Sequence, residues 1–336
     1  MDVCVIGTGR MGRRHIDAVR GLGMNVVGIF DPMPEAMKLA VANNGVREEQ
    51  CFTSAALMLE KTRPSGVVVS STGPSHAEYS ILAAQAGAKY ILCEKPMAAS
   101  LEECDAMLAA CQKHGALLAI NHQMRFMEQY TRIKEMCESE SFGGLKSVTV
   151  AASNFGLAMN ASHYFEMFRY MTNETIRDVQ FWADKEKVPN PRGAQYSDLS
   201  GQIRATTESG KRLYMELGGD QGHGLQVIYG CRNGQVFVDE IAGLVRAIVR
   251  KPEHRQEPTT RYGMPCDEIT FQIAPVEVIA PTQSVWKALL AKENYPDGEC
   301  GRHALSALVA AHTSNENGNA PVGLNRLDLK RKFSWA

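Results

Sequence analysis

The residues at the start of the chain carry a recognisable chemistry. Gly7, Gly9 and Gly12 stand in the run Gly7-Thr8-Gly9-Arg10-Met11-Gly12, and Asp31 follows nineteen residues after the last of them. In such a pattern the first glycine permits a tight turn, the second lets the backbone approach a pyrophosphate, and the third lets a helix pack close to a strand. The N-terminus of that helix offers unpaired N–H groups and a partial positive charge to the phosphates. Arg10 and Met11, at the entry to the helix, join the glycines as expected cofactor-binding residues. A carboxylate at Asp31 accepts hydrogen bonds from a ribose 2′-OH and repels a 2′-phosphate. The residues beyond it, Pro32-Met33-Pro34-Glu35, hold no Arg or Lys for that phosphate, so NAD is favoured over NADP. The other reading of Asp31 is a cap for the next helix.

The elements that must position these residues are legible around them. Asp2 to Ile6 is a short apolar strand, Arg13 to Leu22 a helix and Asn25 to Phe30 a second strand, which is the order of the βαβ dinucleotide fingerprint. The alternation continues with a helix over 34–43, a short strand at 50–52, a helix over 54–60 capped by Thr53, and a strand over 65–71. A loop, Thr72-Gly73-Pro74-Ser75-His76, leads to a helix over 76–86, and a strand over 90–93 ends at Glu94-Lys95-Pro96. Ser100 and Glu103 form a capping box for a helix over 101–114, and a strand follows at 117–120. Residues 1–120 therefore read as a doubly wound parallel sheet of Rossmann type, an NAD(P)-binding domain.

From residue 121 the texture changes. A helix to about 137, a strand over 145–155 and a helix over 160–170 precede strands at 176–182, 202–208, 211–217, 225–230 and 235–238. Turns at Glu208-Ser209-Gly210-Lys211 and Arg232-Asn233-Gly234 fit hairpins. Residues 190–195 and 250–267 read as loops, and a late helix covers 302–314. Residues 121–336 are expected to form an α+β domain on a mostly antiparallel open sheet.

The second group of candidate residues spans both parts. Thr72, Pro74, His76 and Glu94 lie at the expected cofactor edge, and Lys95 sits beyond the carboxyl end of a strand, where ligands bind in such sheets. Asn121, His122 and Arg125 follow the last parallel strand and face the expected cleft, with Asn121 and Arg125 as expected substrate ligands; Arg125 can hold a hydroxyl or phosphate, and its other reading is an ion-paired surface residue. Asn160 and His163, three residues apart, share a helix face, so Asn160 can bind a hydroxyl and His163 can act as general acid or base. His223, Arg302 and His303 are further candidates from the second half.

Composition bounds the rest. The 336 residues fit two domains of ~100–200 residues each. A net charge of −1 gives no field of one sign that would favour nucleic acid or a membrane as partner. The nine cysteines are scattered, with no C-x-x-C, which fits free thiols in a reducing cytoplasm and no metal site. Neither a signal peptide nor a membrane-spanning run is read.

The glycine fingerprint, the Thr72–His76 loop, Glu94-Lys95-Pro96, the Arg125-Phe126 segment and the His163 helix together resemble the glucose–fructose oxidoreductase / inositol dehydrogenase family of sugar and polyol dehydrogenases. The resemblance covers nearly the whole chain. It implies that Lys95 polarises the reacting oxygen or shuttles its proton, and that His163 works with it. It also implies that the second-domain sheet associates into a homodimer or homotetramer. The family carries an aspartate four residues before this histidine, whereas here that position is Met159 and Asn160 is one place off. The expected activity is hydride transfer between NAD and a carbinol or carbonyl carbon of a carbohydrate: a sugar, polyol or nucleotide-linked sugar. Two other classes share the architecture: a glycosidase that oxidises its substrate transiently with bound NAD, and a regulator that senses ligands without turnover.

Overall fold

The structure is a computed structural model describing residues 1–153, 155–185, 198–222, 224–258, 263–274 and 277–333. Five parallel strands form the first sheet: β1 (Asp2–Ile6), β2 (Asn25–Phe30), β3 (Gly66–Val69), β4 (Tyr90–Cys93) and β5 (Leu117–Ile120), in the order β2-β1-β3-β4-β5. Val3 to Ile6 and Val67 to Val69 are fully buried, as continuous apolar strands must be when helices cover both faces. The order reverses at β1, so a crevice opens between the carboxyl ends of β1 and β3.

The helices of this half are α1 (Arg10–Gly21), α2 (Pro34–Asn44), α3 (Ala55–Thr62), α4 (His76–Gln85) and α5 (Leu101–His114). The α3 cap is Ser54, whose hydroxyl accepts from the Leu57 N–H, rather than the expected Thr53. Ser100 caps α5 by accepting from the Glu103 N–H, while the Glu103 carboxylate accepts from the N–H of Ala99. The expected strand at 50–52 is reduced to one bridge between Cys51 and Ile29.

The second half carries α6 (Glu128–Glu138), β6 (Leu145–Ala152), α7 (Ser162–Thr172), β7 (Ile176–Ala183), β8 (Gly201–Thr207), β9 (Arg212–Glu216), β10 (Leu225–Cys231), β11 (Gly234–Asp239), β12 (Leu244–Arg250) and β13 (Cys266–Gln272). Two helices and a short strand close the chain: α8 (Ile279–Ala291), α9 (Gly298–Glu316) and β14 (Val322–Gly323). The nine strands run β13-β12-β11-β10-β6-β9-β8-β7-β14, with every neighbouring pair antiparallel except β6 and β9. Both expected hairpins are present, β8–β9 and β10–β11.

Four elements went unread in the sequence: β12, β13, α8 and the two-residue β14. β12 sends Val245, Ala247 and Val249 inward, but Leu244 and Ile248 on its outer face hide the period of two. The residues read as a loop over 250–267 run into β13 at their end. The loop read at 190–195 lies outside the described residues.

Helix α8 returns to the first sheet. Its Val285, Trp286 and Leu289 are fully buried against Val3, Val5, Ile16 and Val19, and burial of each aliphatic side chain contributes roughly 1.5–3 kcal/mol. Helix α9 lies between the halves, against α5, β5, α7 and β7, and buries Leu305, Leu308, Val309 and Ala311. This packing ties α7 and the carboxyl edge of the first sheet together. Among the described residues, no helix is long and apolar enough to cross a membrane.

Candidate active site

The glycine turn has the geometry its spacing demands. Gly7 has φ +88°, and a Cβ there would lie 2.4–2.6 Å from the backbone of Ser70 and Ser71. A Cβ on Gly12 would meet the Gly7 carbonyl oxygen at 1.9 Å, so α1 packs directly on the turn. A Cβ on Gly9 would enter open space. That space lies at the start of α1, where the first backbone N–H groups have no intrahelical acceptor, and so fits an approaching pyrophosphate. Arg10 is exposed and Met11 half-buried beside it.

Asp31 closes the far side of this turn. Its Oδ2 accepts from the Thr8 N–H at 2.7 Å and its Oδ1 from the Met33 N–H at 2.9 Å. The carboxylate thus joins the glycine loop to the end of β2 and stays half-exposed, with lone pairs left for a ribose hydroxyl. Thr72 is half-buried and Pro74 exposed. His76 is buried, with Nδ1 2.8 Å from the Pro96 carbonyl oxygen and Nε2 3.1 Å from that of Ser71. Those contacts tie the 71–75 loop to the segment after Lys95.

At the end of β4, Glu94 is 7% exposed and held by three donors or partners. His15 Nε2 lies 2.9 Å from Oε1, Asn121 Nδ2 donates to Oε1 at 2.8 Å, and the Lys95 N–H donates to Oε2 at 3.2 Å. Burial alone would push this carboxyl up; His15, then Asn121 and the Lys95 charge, outweigh it and hold Glu94 well below the usual carboxylate range. The side chain of Lys95 then reaches across the cleft, where Nζ donates to the Met159 carbonyl at 2.5 Å. The Lys95–Pro96 peptide bond is cis.

His163 enters from α7, preceded by a π-helical turn over Leu157–Ala161 that includes half-buried Asn160. Burial, then the nearby Lys95 and His122, push its imidazole well below the ordinary histidine range. His122 packs edge-on against it, with ring centroids 6.1 Å apart, and burial brings the His122 imidazole down to about 4. Nδ1 of both rings is buried with no partner among the described residues. Both histidines are therefore neutral near pH 7, and neutral imidazole can accept a proton.

Lys95, Glu94, Asn121, His122 and His163 thus form one cluster at the expected place. The Arg125 guanidinium pairs with Glu166, which Arg169 Nε also holds at 2.7 Å. Glu166 is buried between these two arginines. Arg302 pairs with Asp105 at 2.5 Å, and His303 Nε2 accepts from the Ile176 N–H at 3.1 Å. Both line a separate cavity of about 810 Å³ with Arg169, Arg177 and Asp297, away from Lys95. His223 lies outside the described residues.

Two site residues were missed in the sequence. His15 was legible in principle, because it sits on the stripe of Gly12, Ile16 and Val19 that α1 buries. Asp198 had no local signal; its carboxylate accepts from the N–H groups of Ala158 and Met159 at 2.8 and 2.9 Å.

A glycine turn under a helix N-terminus, at the switch point of a parallel sheet, with a lysine beyond a neighbouring strand, defines an NAD-binding oxidoreductase fold. Residues 1–122, about a third of the chain, match the family model described as "Oxidoreductase family, NAD-binding Rossmann fold". The chain is 31% identical over 182 residues to the inositol 2-dehydrogenase of Ralstonia nicotianae, a match covering 53% of this chain and 51% of that enzyme. It is 28% identical over 262 residues to the inositol 2-dehydrogenase of Klebsiella pneumoniae, covering 74% and 73%. The match therefore spans about half the length of the first relative and about three quarters of the second.

Solved structures share the fold over almost the full length. The UDP-N-acetylglucosamine 3-dehydrogenase of Acidithiobacillus ferrooxidans superposes with a TM-score of 0.75 at 20% identity, covering 97% of this chain and 99% of that one. An oxidoreductase of Agrobacterium radiobacter in complex with NAD+, L-tartaric acid and magnesium gives 0.79 at 16% identity, covering 97% and 98%.

Proposed function

We propose that this protein is an NAD-dependent dehydrogenase or reductase acting on a carbinol or carbonyl carbon of a sugar, polyol or nucleotide-linked sugar. The observation that carries the reading is the convergence of Lys95 and His163 beside the glycine turn, past the carboxyl end of β4. When bound, the nicotinamide supplies the hydride acceptor or donor. Gly7, Gly9, Arg10, Met11 and Gly12 would hold its pyrophosphate. Asp31 would accept from its ribose hydroxyl, which favours NAD. In the oxidative direction, neutral His163 accepts the hydroxyl proton as the hydride leaves carbon, and Lys95 donates a hydrogen bond to the oxygen as it becomes a carbonyl. Glu94, held by His15 and Asn121, keeps the lysine backbone in place. Asn160 is the further candidate for a substrate hydroxyl.

The names of the relatives, an inositol dehydrogenase and a nucleotide-sugar dehydrogenase, support a carbohydrate substrate. We assign cofactor binding to residues 1–120, substrate binding and assembly to 121–336, a homodimer or homotetramer through the outer face of the nine-stranded sheet, and a cytoplasmic location.

The test is NADH formation, followed by absorbance, over free sugars, inositols and nucleotide sugars, for the wild type and Lys95→Met. A substrate that turns over in the wild type and is slowed about 10²–10⁴-fold in Lys95→Met, with NAD affinity kept, supports the reading. A variant with near-normal turnover removes Lys95 from the mechanism.

A further inference from the structure

The acceptor for the Lys95 side chain is a main-chain carbonyl, and something must hold that carbonyl still. Met159 lies in the irregular turn over Leu157–Ala161, whose opening N–H groups have no acceptor within the turn. The corner before β8 satisfies three of them in succession. The Leu157 N–H donates to the Leu199 carbonyl at 2.7 Å, the Ala158 N–H to Asp198 Oδ1 at 2.8 Å, and the Met159 N–H to Asp198 Oδ2 at 2.9 Å. Asp198 is 4% exposed, so this is a buried, bidentate, charge-assisted clasp on two consecutive amides. The same peptide segment, at the Met159 carbonyl, receives Lys95 Nζ at 2.5 Å.

The clasp leaves no room for a side chain at Gly156. A Cβ built there would lie 2.0 Å from Asp198 Oδ2, although Gly156 has an ordinary φ of −81°. Glycine is needed at 156 because the carboxylate fills its Cβ position, and the backbone conformation makes no such demand.

We propose that Asp198 is a positioning residue for Lys95: by clasping the amides of Ala158 and Met159 it fixes the carbonyl that aims the ammonium, and it adds a negative charge on the far side of that turn. This rests on the dehydrogenase reading above. Asp198 does the work from outside α7, in a chain whose residue four before His163 is Met159. Among the described residues, the groups in charge interaction with Lys95 include Glu94 beside it on the chain, His163 on α7, His122 after β5, and Asp198 before β8. Burial raises the Asp198 carboxyl overall, against the pull of the Ala158, Met159 and Leu199 amides and the Lys95 charge. A shift of about 1 Å in a positioned catalytic group can cost on the order of 10²-fold in rate, so the turn need not unfold for its loss to register.

The experiment compares Asp198→Asn, Asp198→Ala, Gly156→Ala and the double variant Gly156→Ala/Asp198→Ala with wild type and Lys95→Met. Asp198→Asn keeps the shape of the clasp but loses one acceptor and the charge; Gly156→Ala keeps the charge and displaces the clasp. Expected are a drop in kcat of about tenfold or more in each single variant, NAD affinity within about twofold of wild type, and no further loss from Gly156→Ala once Asp198 is alanine. A second readout does not depend on turnover. Lysines are reductively ¹³C-methylated, the Lys95 signal is assigned by its absence in Lys95→Arg, and its titration is followed by NMR. Removing the carboxylate moves that titration to lower pH in Asp198→Asn and leaves it near the wild-type position in Gly156→Ala.

Singles within twofold of wild type in kcat with an unmoved Lys95 titration overturn the proposal. So does a rate loss that only tracks a fall in melting temperature while the Lys95 titration stays put. If Lys95→Met turns over normally, the dehydrogenase reading fails instead, and the NMR titration still decides whether Asp198 sets Lys95.

Discussion

Glu94 and Glu240 are the same side chain at nearly the same depth, 7% and 5% exposed, and the protein drives them in opposite directions. Glu94 lies at the carboxyl edge of the parallel sheet and is met by His15, Asn121 and the Lys95 N–H. Glu240 lies at the turn after β11, inside the antiparallel half, and its carboxylate is met among the described residues by the hydroxyls of Tyr130 at 2.6 Å and Tyr164 at 3.0 Å. Burial pushes both up; at Glu94 the donors and the lysine charge win, while at Glu240 two phenols do not, and its carboxyl rises to about 6. Glu166, between Arg125 and Arg169, follows Glu94 and is held below the ordinary range. Among these three glutamates depth therefore does not decide ionisation; the number and charge of the donors do. The carboxylates kept ionised lie beside the candidate site or one helical turn from it, where fixed charge can orient a lysine and a substrate.

The contrast can be broken most forcefully at its ionised end. Glu94→Ala removes the partner of His15 and Asn121 in a buried setting, and a loss of about 3 kcal/mol in chemical denaturation is expected, with a fall in turnover. A loss below about 1 kcal/mol would mean that the three groups are not coupled as described. The folded-state pKa of Glu94 is depressed, so its contribution to stability is present above the unfolded carboxyl value of ~4.3 and is lost as pH falls through the folded value.

Glu240 has the opposite sign. Its folded pKa is raised, so its contribution is fully present below the unfolded value and is lost as pH rises through about 6. Between these limits the wild type should lose on the order of 2 kcal/mol that Glu240→Gln does not lose. Denaturant midpoints at pH 4.5 and pH 7 measure it, and parallel pH slopes for the two proteins would refute the assignment.

The histidines extend the comparison to catalysis. Because burial and Lys95 depress His163, the acid limb of kcat should not appear at the ~6.5 of a solvated imidazole but at lower pH. A limb centred at 6.5 would show that the ring is hydrated in the working enzyme. The smallest effect is expected at the half-exposed carboxylate, Asp31. Asp31→Ala should raise the preference for NADP relative to NAD by about tenfold, read from the ratio of kcat/KM values; an unchanged ratio would mean that Asp31 does not touch the ribose.

Much of the first half was legible because its signals are local. A fully buried parallel strand must be a continuous apolar run, and Val3 to Ile6 and Val67 to Val69 are. The roles of Gly7 and Gly12 follow from backbone sterics within and beside one turn. The same locality explains the hairpins at Gly210 and Asn233-Gly234. It also explains the misreadings. Helix α8 carries apolar residues whose partners are on α1, β4 and β5, more than about 150 positions earlier, so nothing near it in sequence announces its place. Arg125 looked like a substrate ligand because its partner, Glu166, lies 41 residues away on another helix.

By itself the sequence determined the dinucleotide turn, the acid after β2 and the lysine after β4, since each depends on a few consecutive residues and the backbone they permit. Only the tertiary structure decided how those groups are charged and aimed. His15 reaches Glu94 across 79 residues, and Asp198 clasps the turn before His163 from about 40 residues away. Ionisation and aim depend on what surrounds a buried group, and that surrounding exists only once the two sheets and the helices between them have packed.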